Sequence, residues 1–398
     1  MKRILLIPDA YFGSYSGSIV TRVIKKILVE LGHEVAIFST DINEDFTEAD
    51  GTTLFPRKLY GLRYTFTVRN HSDNFDIVLN NFNPDYIFTV GSITNKNLIY
   101  FKKAAKNGVK IVSMIFMQDF FCMKIYSYRL DRPCTLCLDN GFFESVRHRC
   151  IIESPLDYLR NLNGINIRKM LKDIMPSFHA VIGSSDYQLN LYEKFGISRD
   201  TCYKIPLFFD TGRVRDFQPE ISNYFLCIAQ NREEKGFQFI KPILKHCTND
   251  IKIILIYPDS LSVQQSISVY GFQEFIDKGM LEVKCCLSGD DEFPKLIGNS
   301  RGVIIPSIWP TTTEFVLLEA LGYNKPVFCF DLGVHSELIE SGKNGFLAPI
   351  GDHKFLADQL IMLNQDNEAY LRISLEAGDL YRKLTNWDNW KEALLNIL

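Results

Sequence analysis

Residues 303–349 read VIIPSIWPTTTEFVLLEALGYNKPVFCFDLGVHSELIESGKNGFLAP, and the fold follows from how this stretch alternates. Val303 to Ile305 is a short apolar run of the kind that forms a buried parallel strand. A polar loop, Pro306 to Thr313, leads into a helical pattern from Phe315 to Leu321 in which Glu319 is the sole charge. Lys325-Pro326 ends that helix, and Val327 to Phe330 reads as the next buried strand. Strand, loop, helix and strand in this order predict an open α/β sheet, in which ligands sit beyond the carboxyl ends of the strands. The helix start offers unpaired N–H groups and the positive end of a dipole, a natural anion site. Thr311, Thr312 and Thr313 add hydroxyl donors there, and Glu319, one turn in, can accept from a sugar hydroxyl.

Working outward, the same alternation recurs on both sides. Strands are predicted at 3–7, 35–38, 86–90, 109–115 and 178–182, then at 224–229, 251–257 and 281–286. A glycine-bearing loop, Pro8 to Ser18, joins the first strand to a helix over 19–31, with Gly32 placed to cap it. This is a Rossmann-like opening, although a strict G-x-G-x-x-G is absent. Gly13 reads equally well as a plain turn; Gly17, just before the helix, reads as functional. With 398 residues the chain exceeds one comfortable core and predicts two domains.

The block at 303–349 resembles the donor-binding signature of family-4-like retaining glycosyltransferases of GT-B architecture. Pro306-Ser307, Leu318-Glu319-Ala320, Lys325-Pro326-Val327, Glu337 and Asn344-Gly345-Phe346-Leu347 fall in that family's register. The resemblance implies two Rossmann-like domains facing a cleft, with the C-terminal helix crossing back to the first domain. It also implies that the second glutamate of an E-x7-E pair, here Glu319, grips the nucleotide ribose. The first glutamate, implied to touch the transferred sugar, is replaced by Thr311, so that role passes to Thr311, Thr312 or Glu314. Further upstream the family shows an arginine and a Lys-Gly pair that neutralise the donor diphosphate. Lys235-Gly236 matches; the arginine position is Gln230, with Arg232 two residues later as a displaced guanidinium. Lys235, Arg232 and Gln118 are thus the expected catalytic groups. Gly17, Gln230, Lys235, Thr311, Thr312, Thr313, Glu314 and Glu319 are the expected donor contacts. Gln118 stands where related transferases commonly carry a histidine; an amide can bond sugar hydroxyls but holds no proton near neutral pH. A front-face mechanism does without a side-chain base, because the leaving phosphate can take the acceptor proton.

The expected division is an acceptor domain over 1–207, a linker over 208–223, a donor domain over 224–370 and a returning helical segment over 371–398. Residues 122–150 form a cysteine-rich insertion, C-x11-C-x2-C-x12-C, like that of a subset of the family. Cys122, Cys134, Cys137 and Cys150 suggest a structural zinc site, His148 being a substitute for one sulfur; buried free thiols and a labile disulfide are the alternatives. No cofactor is expected for catalysis. Residues 1–210 hold 26 Lys and Arg against 22 Asp and Glu, the rest 18 against 25. The mildly basic first half suits an anionic acceptor or surface, or is ordinary solvated charge. Arg160, Arg168, Lys169 and Lys172 lie at helical spacing over 156–175 and read as a solvated face or a basic stripe towards acidic lipid headgroups.

Ten cysteines with no secretory signal, and no apolar run of about 18 residues, point to the cytoplasm, at most peripheral to the inner face of the membrane. The expected partners are a nucleotide-diphosphate sugar and a glycan or lipid-linked saccharide of cell-surface polysaccharide biosynthesis, with no nucleic acid. The alternatives are a non-catalytic GT-B protein that binds a glycan or a partner enzyme, and a nucleotide-sugar epimerase.

Overall fold

The computed structural model describes residues 1–13, 16–57, 74–93, 95–216, 222–228, 232–286, 290–311 and 314–398. They form two compact units. Unit 1 comprises Met1–Ser127, Cys134–Asp210 and Asn386–Leu398; unit 2 comprises Tyr128–Pro133 and Thr211–Thr385.

Unit 1 is built on a sheet whose strands run, in spatial order, Cys202–Lys204, Ala180–Gly183, Lys110–Ile115, Tyr86–Gly91, Arg3–Pro8, Glu34–Ser39, Thr53–Pro56 and Phe46–Thr47. All neighbours are parallel except the last pair. The central strands Arg3–Pro8, Tyr86–Gly91 and Lys110–Ile115 are buried along almost their whole length, as expected for a parallel sheet covered on both faces. The first helix, Ser16–Glu30, ends where Gly32 takes φ +77°, a left-handed value that glycine adopts without strain.

The last helix, Trp387–Leu395, packs in unit 1 through Trp390, buried against Phe208, while Trp387 Nε1 donates to Glu30. The Tyr86 hydroxyl donates to the Leu398 carbonyl at 2.6 Å.

Unit 2 is a parallel six-stranded sheet among the described residues. Its spatial order is Leu281–Cys285, Ile253–Tyr257, Phe225–Ile228, Gly302–Ile305, Val327–Phe330, Gly345–Ala348. Counted within the unit, that order is 3-2-1-4-5-6. It reverses between Phe225–Ile228 and Gly302–Ile305, which are paired directly in register Phe225 to Gly302. This is the topological switch point of the sheet, where ligands of open α/β folds bind beyond the carboxyl ends of the strands. Lys235 and Glu314 follow these two strands in the chain.

Three expected boundaries are corrected. The return to unit 1 begins at Asn386, not at 371, because helix Asn367–Leu384 packs in unit 2 against helix Phe315–Gly322. That contact is close: a Cβ at Gly378 would lie 2.0 Å from Asn324 Oδ1, and one at Gly322 would lie 3.1 Å from the Tyr381 ring. The span read as linker contributes Thr211–Arg213 to unit 2. The cysteine-rich insertion is split, since Tyr128–Pro133 groups with unit 2, where the Tyr128 hydroxyl donates to Glu233 at 3.0 Å. Among the described residues no helix is long and apolar enough to cross a membrane.

Candidate functional site

The switch point in unit 2 is shaped first by a glycine. Glu233–Lys235 is a single 3-10 turn that ends at Gly236, whose φ is +77°. A Cβ at Gly236 would lie 1.7 Å from the Pro306 carbonyl oxygen. Only a residue without a side chain lets this turn lie against the loop that follows Gly302–Ile305. The Ile308 amide donates to the Glu234 carbonyl at 2.9 Å and fastens the two loops together. Lys235 is thereby delivered to the loop before helix Phe315–Gly322. Its ammonium lies 5.4 Å from the Trp309 ring centre, within cation–π range.

Glu314 is the focus of this loop. Its Oε1 accepts from Lys235 Nζ at 3.1 Å and from Ser307 Oγ at 2.8 Å, and Oε2 lies 2.7 Å from His335 Nε2. Burial alone would raise the carboxyl, but Lys235 and His335, with the hydrogen bonds from His335 and Ser307, hold it down to about 2. Burial likewise works against a charged His335, yet the neighbouring Cys329 sulfur and Glu314 raise that ring to about 10. Around neutral pH the pair is therefore carboxylate and imidazolium.

One turn further on, Glu319 is buried and its Oε1 accepts from Arg213 Nε at 2.8 Å and from Arg213 Nη2. Burial raises this carboxyl above its usual range, with Arg213 pulling the other way. The guanidinium also sits 5.6 Å from the Phe315 ring centre. Unit 2 thus holds two carboxylates on one short helix start, each bonded to a cation from another loop. A diphosphate with a ribose needs just such groups, cations for the phosphates and an acceptor for the hydroxyls.

The remaining predicted residues are distributed differently. Gln230, Thr312 and Thr313 lie outside the described residues. Thr311 is fully buried, and its backbone carbonyl accepts from the Val334 amide at 3.3 Å. Arg232 pairs with the neighbouring Glu234, which already balances its charge. Gly17 and Gln118 belong to unit 1. Gly17 is helical, and a Cβ there would make ordinary contact with Phe116 at 3.6 Å, so neither space nor backbone demands glycine. Gln118 is fully buried at the carboxyl end of strand Lys110–Ile115, with its backbone closing the turns to Cys122 and Ile125.

Cys122 and Cys137 are buried thiols, pushed up to about 11 and about 12 by burial, the other three sulfurs adding to the rise at Cys137. The four are neighbours, yet among the described residues no three metal-binding side chains converge on a common point. His148, expected as a substitute ligand, lies 3.1 Å from Glu144 instead. Arg168, read as part of a basic stripe, is buried and donates to the Gly164 and Cys122 carbonyls.

Three functional candidates escaped the sequence. Arg213 lay in the presumed linker. Ser307 reads in the sequence only as half of a Pro-Ser pair. His335 offers a visible signal, a histidine between Gly333 and Glu337 within the signature.

With this geometry in place, comparison with known proteins is informative. The family model described as glycosyl transferases group 1 matches residues 261–366. No curated protein is matched by the sequence. Among solved structures, HepE of Anabaena in complex with UDP and glucose is similar at TM-score 0.67 and 14% identity, covering 100% of this chain and 99% of that one. The sucrose-phosphate synthase of Thermosynechococcus elongatus is similar at TM-score 0.71 and 14% identity, covering 100% and 98%. WaaG, a glycosyltransferase involved in lipopolysaccharide biosynthesis, is similar at TM-score 0.66 and 12% identity, covering 99% of each chain. The fold is GT-B, and residues 261–366 match the group 1 glycosyltransferase model. In GT-B terms, unit 2 is the Rossmann-like half whose switch point carries Lys235, Glu314 and Glu319, and unit 1 is the half with the opening Arg3–Pro8 strand.

Proposed function

We propose that the protein is a retaining glycosyltransferase that moves a sugar from a nucleotide diphosphate to a glycan or a lipid-linked saccharide. The observation that carries this reading is the ammonium of Lys235 at the switch point of the group 1 half, paired with Glu314 on the facing loop. In the reaction the bond from the anomeric carbon to the diphosphate oxygen breaks, and a bond to the acceptor oxygen forms on the same face. The acceptor's proton goes to the departing phosphate. Lys235 stabilises the charge that collects there, and the start of helix Phe315–Gly322 adds its dipole. Glu319 accepts from the ribose. No metal is needed in this scheme.

HepE is similar in fold and its structures include UDP-glucose, so uridine diphosphate sugars are the first donors to try, guanosine diphosphate sugars the second. Donor binding should raise the melting temperature in proportion to the logarithm of ligand concentration over Kd. Lys235→Ala should weaken nucleotide diphosphate binding roughly tenfold to hundredfold and lower kcat/KM by about 10²–10³. The check is isothermal titration beside transfer of labelled sugar to a lipid-linked acceptor. A panel in which no nucleotide binds the wild type would instead favour a non-catalytic glycan- or partner-binding GT-B protein.

A peripheral membrane contact also belongs to this reading. On helix Pro155–Ile174 the side chains of Leu156, Tyr158, Leu159 and Leu162 are exposed, as is Phe143 nearby, with Lys169 5.7 Å from the Phe143 ring centre. Exposed leucines and aromatics on a helix that also exposes Lys169 and Lys172 suit an anionic bilayer surface. Co-sedimentation with phosphatidylglycerol vesicles should fall severalfold in Leu159→Glu/Leu162→Glu and be weak with phosphatidylcholine. Equal pelleting of variant and wild type, or dimerisation through this face, would end the membrane reading.

A further inference from the structure

Three donors meet on Glu314, and they differ in one respect. Ser307 and His335 are buried, with the His335 side chain 1% exposed, whereas that of Lys235 is 21% exposed. The outer cation can therefore meet a ligand and the inner one cannot.

We propose that His335 is a positioning residue that keeps Glu314 satisfied from inside the protein, so that Lys235 can leave Glu314 for the donor diphosphate. The inference rests on the reading of Lys235 given above and deepens it. An arriving anion competes with Glu314 for the ammonium. Were Lys235 the carboxylate's sole cation, releasing it would strand an uncompensated buried charge. Here Oε1 keeps Ser307 and Oε2 keeps His335 after Lys235 departs. The ring's elevated affinity for its proton agrees with a permanent cation at this place.

The backbone fixes His335 in that position. Gly333 has φ +57°, and a Cβ there would lie 2.9 Å from both the nitrogen and the oxygen of Thr311. The His335 amide donates to the Leu332 carbonyl at 3.2 Å, and the Val334 amide to Thr311. The loop carrying the imidazole is thus packed directly on the loop carrying the carboxylate.

Charge arithmetic makes the idea testable. Lys235, His335 and Glu314 together carry one net positive charge; without His335 they carry none, and without both His335 and Glu314 the single positive charge returns. The variants are His335→Gln, Glu314→Gln, the Glu314→Gln/His335→Gln double and Lys235→Ala, each checked for folding by circular dichroism. They are titrated with UDP and GDP, with uridine and guanosine as phosphate-free controls. His335→Gln should bind the diphosphate roughly tenfold to hundredfold more weakly while nucleoside affinity stays within about threefold. The double variant should recover to within about threefold of wild type. A merely structural role for His335 predicts the opposite pattern. Nucleoside and diphosphate affinities would then fall together, or the double variant would be no better than His335→Gln, and either result overturns the inference. If Lys235→Ala weakens diphosphate binding about tenfold or more and His335→Gln leaves it within about threefold of wild type, this inference fails and the donor-site reading stands. If the wild type binds neither diphosphate, both fail.

Discussion

Gly236→Ala should abolish nucleotide diphosphate binding and lower folding stability by about 3 kcal/mol or more. Two costs act together. An L-residue at φ +77° pays about 1 kcal/mol or more for the left-handed backbone. The new methyl also meets backbone that cannot rotate away: the Pro306 oxygen at 1.7 Å and its carbon at 2.6 Å. Relief requires the Glu233–Lys235 turn and the Pro306 loop to separate, which breaks the Ile308 amide bond to Glu234 and withdraws Lys235 from Glu314. Urea unfolding and isothermal titration with UDP measure the two effects. Gly17→Ala is the contrast, because that position is helical and a Cβ there has ordinary room, so stability should change by less than about 1 kcal/mol. Retained binding in Gly236→Ala would mean that the turn and the loop need not touch for the site to work.

Those two glycines show what a sequence reveals and what it withholds. Lys235-Gly236 stood out only through its resemblance to the family's Lys-Gly pair, since the contact that demands the glycine, the Pro306 carbonyl, lies far along the chain. Glu319 stood out through the same resemblance and as the sole charge in an otherwise apolar helical pattern. The parallel strands were legible as well, since burial on both faces leaves nearly continuous apolar runs such as Val303–Ile305 and Val327–Phe330.

The partners of these residues were not legible. Arg213 reaches Glu319 across 106 positions of sequence and Lys235 reaches Glu314 across 79, and no periodicity reports contacts of that range. Gly17 looked special only because it precedes a helix. The basic stripe loses Arg168, because helical spacing does not tell a solvated guanidinium from one turned inward. The break at 371 failed because Asn367–Leu384 is amphipathic like any docking helix, and its packing partner is decided in three dimensions. The cysteine spacing suggested a tetrahedral site, but spacing constrains distance along the chain, not convergence of four sulfurs on one point.

Glu319→Ala should weaken UDP binding roughly thirtyfold, about 2 kcal/mol, through loss of an acceptor for the ribose hydroxyls. The effect must be separated from damage to the fold, because the substitution also removes the partner of Arg213. Arg213 keeps about a fifth of its side chain exposed, at 22%, and can turn to water, so the stability loss should stay near 1–2 kcal/mol. A ligand lacking the hydroxyls supplies the decisive comparison. If Glu319 grips the ribose, 2′,3′-dideoxy-UDP should bind wild type and variant within about threefold of each other, whereas UDP should distinguish them. Equal losses for both nucleotides would assign Glu319 to holding Arg213, and the guanidinium, one loop away from Lys235 in the same half, would then become the group to test against the phosphates. Unchanged UDP affinity would remove the carboxylate from the donor site altogether, since nothing else about a buried, arginine-paired glutamate at the head of that helix marks it as a ligand contact.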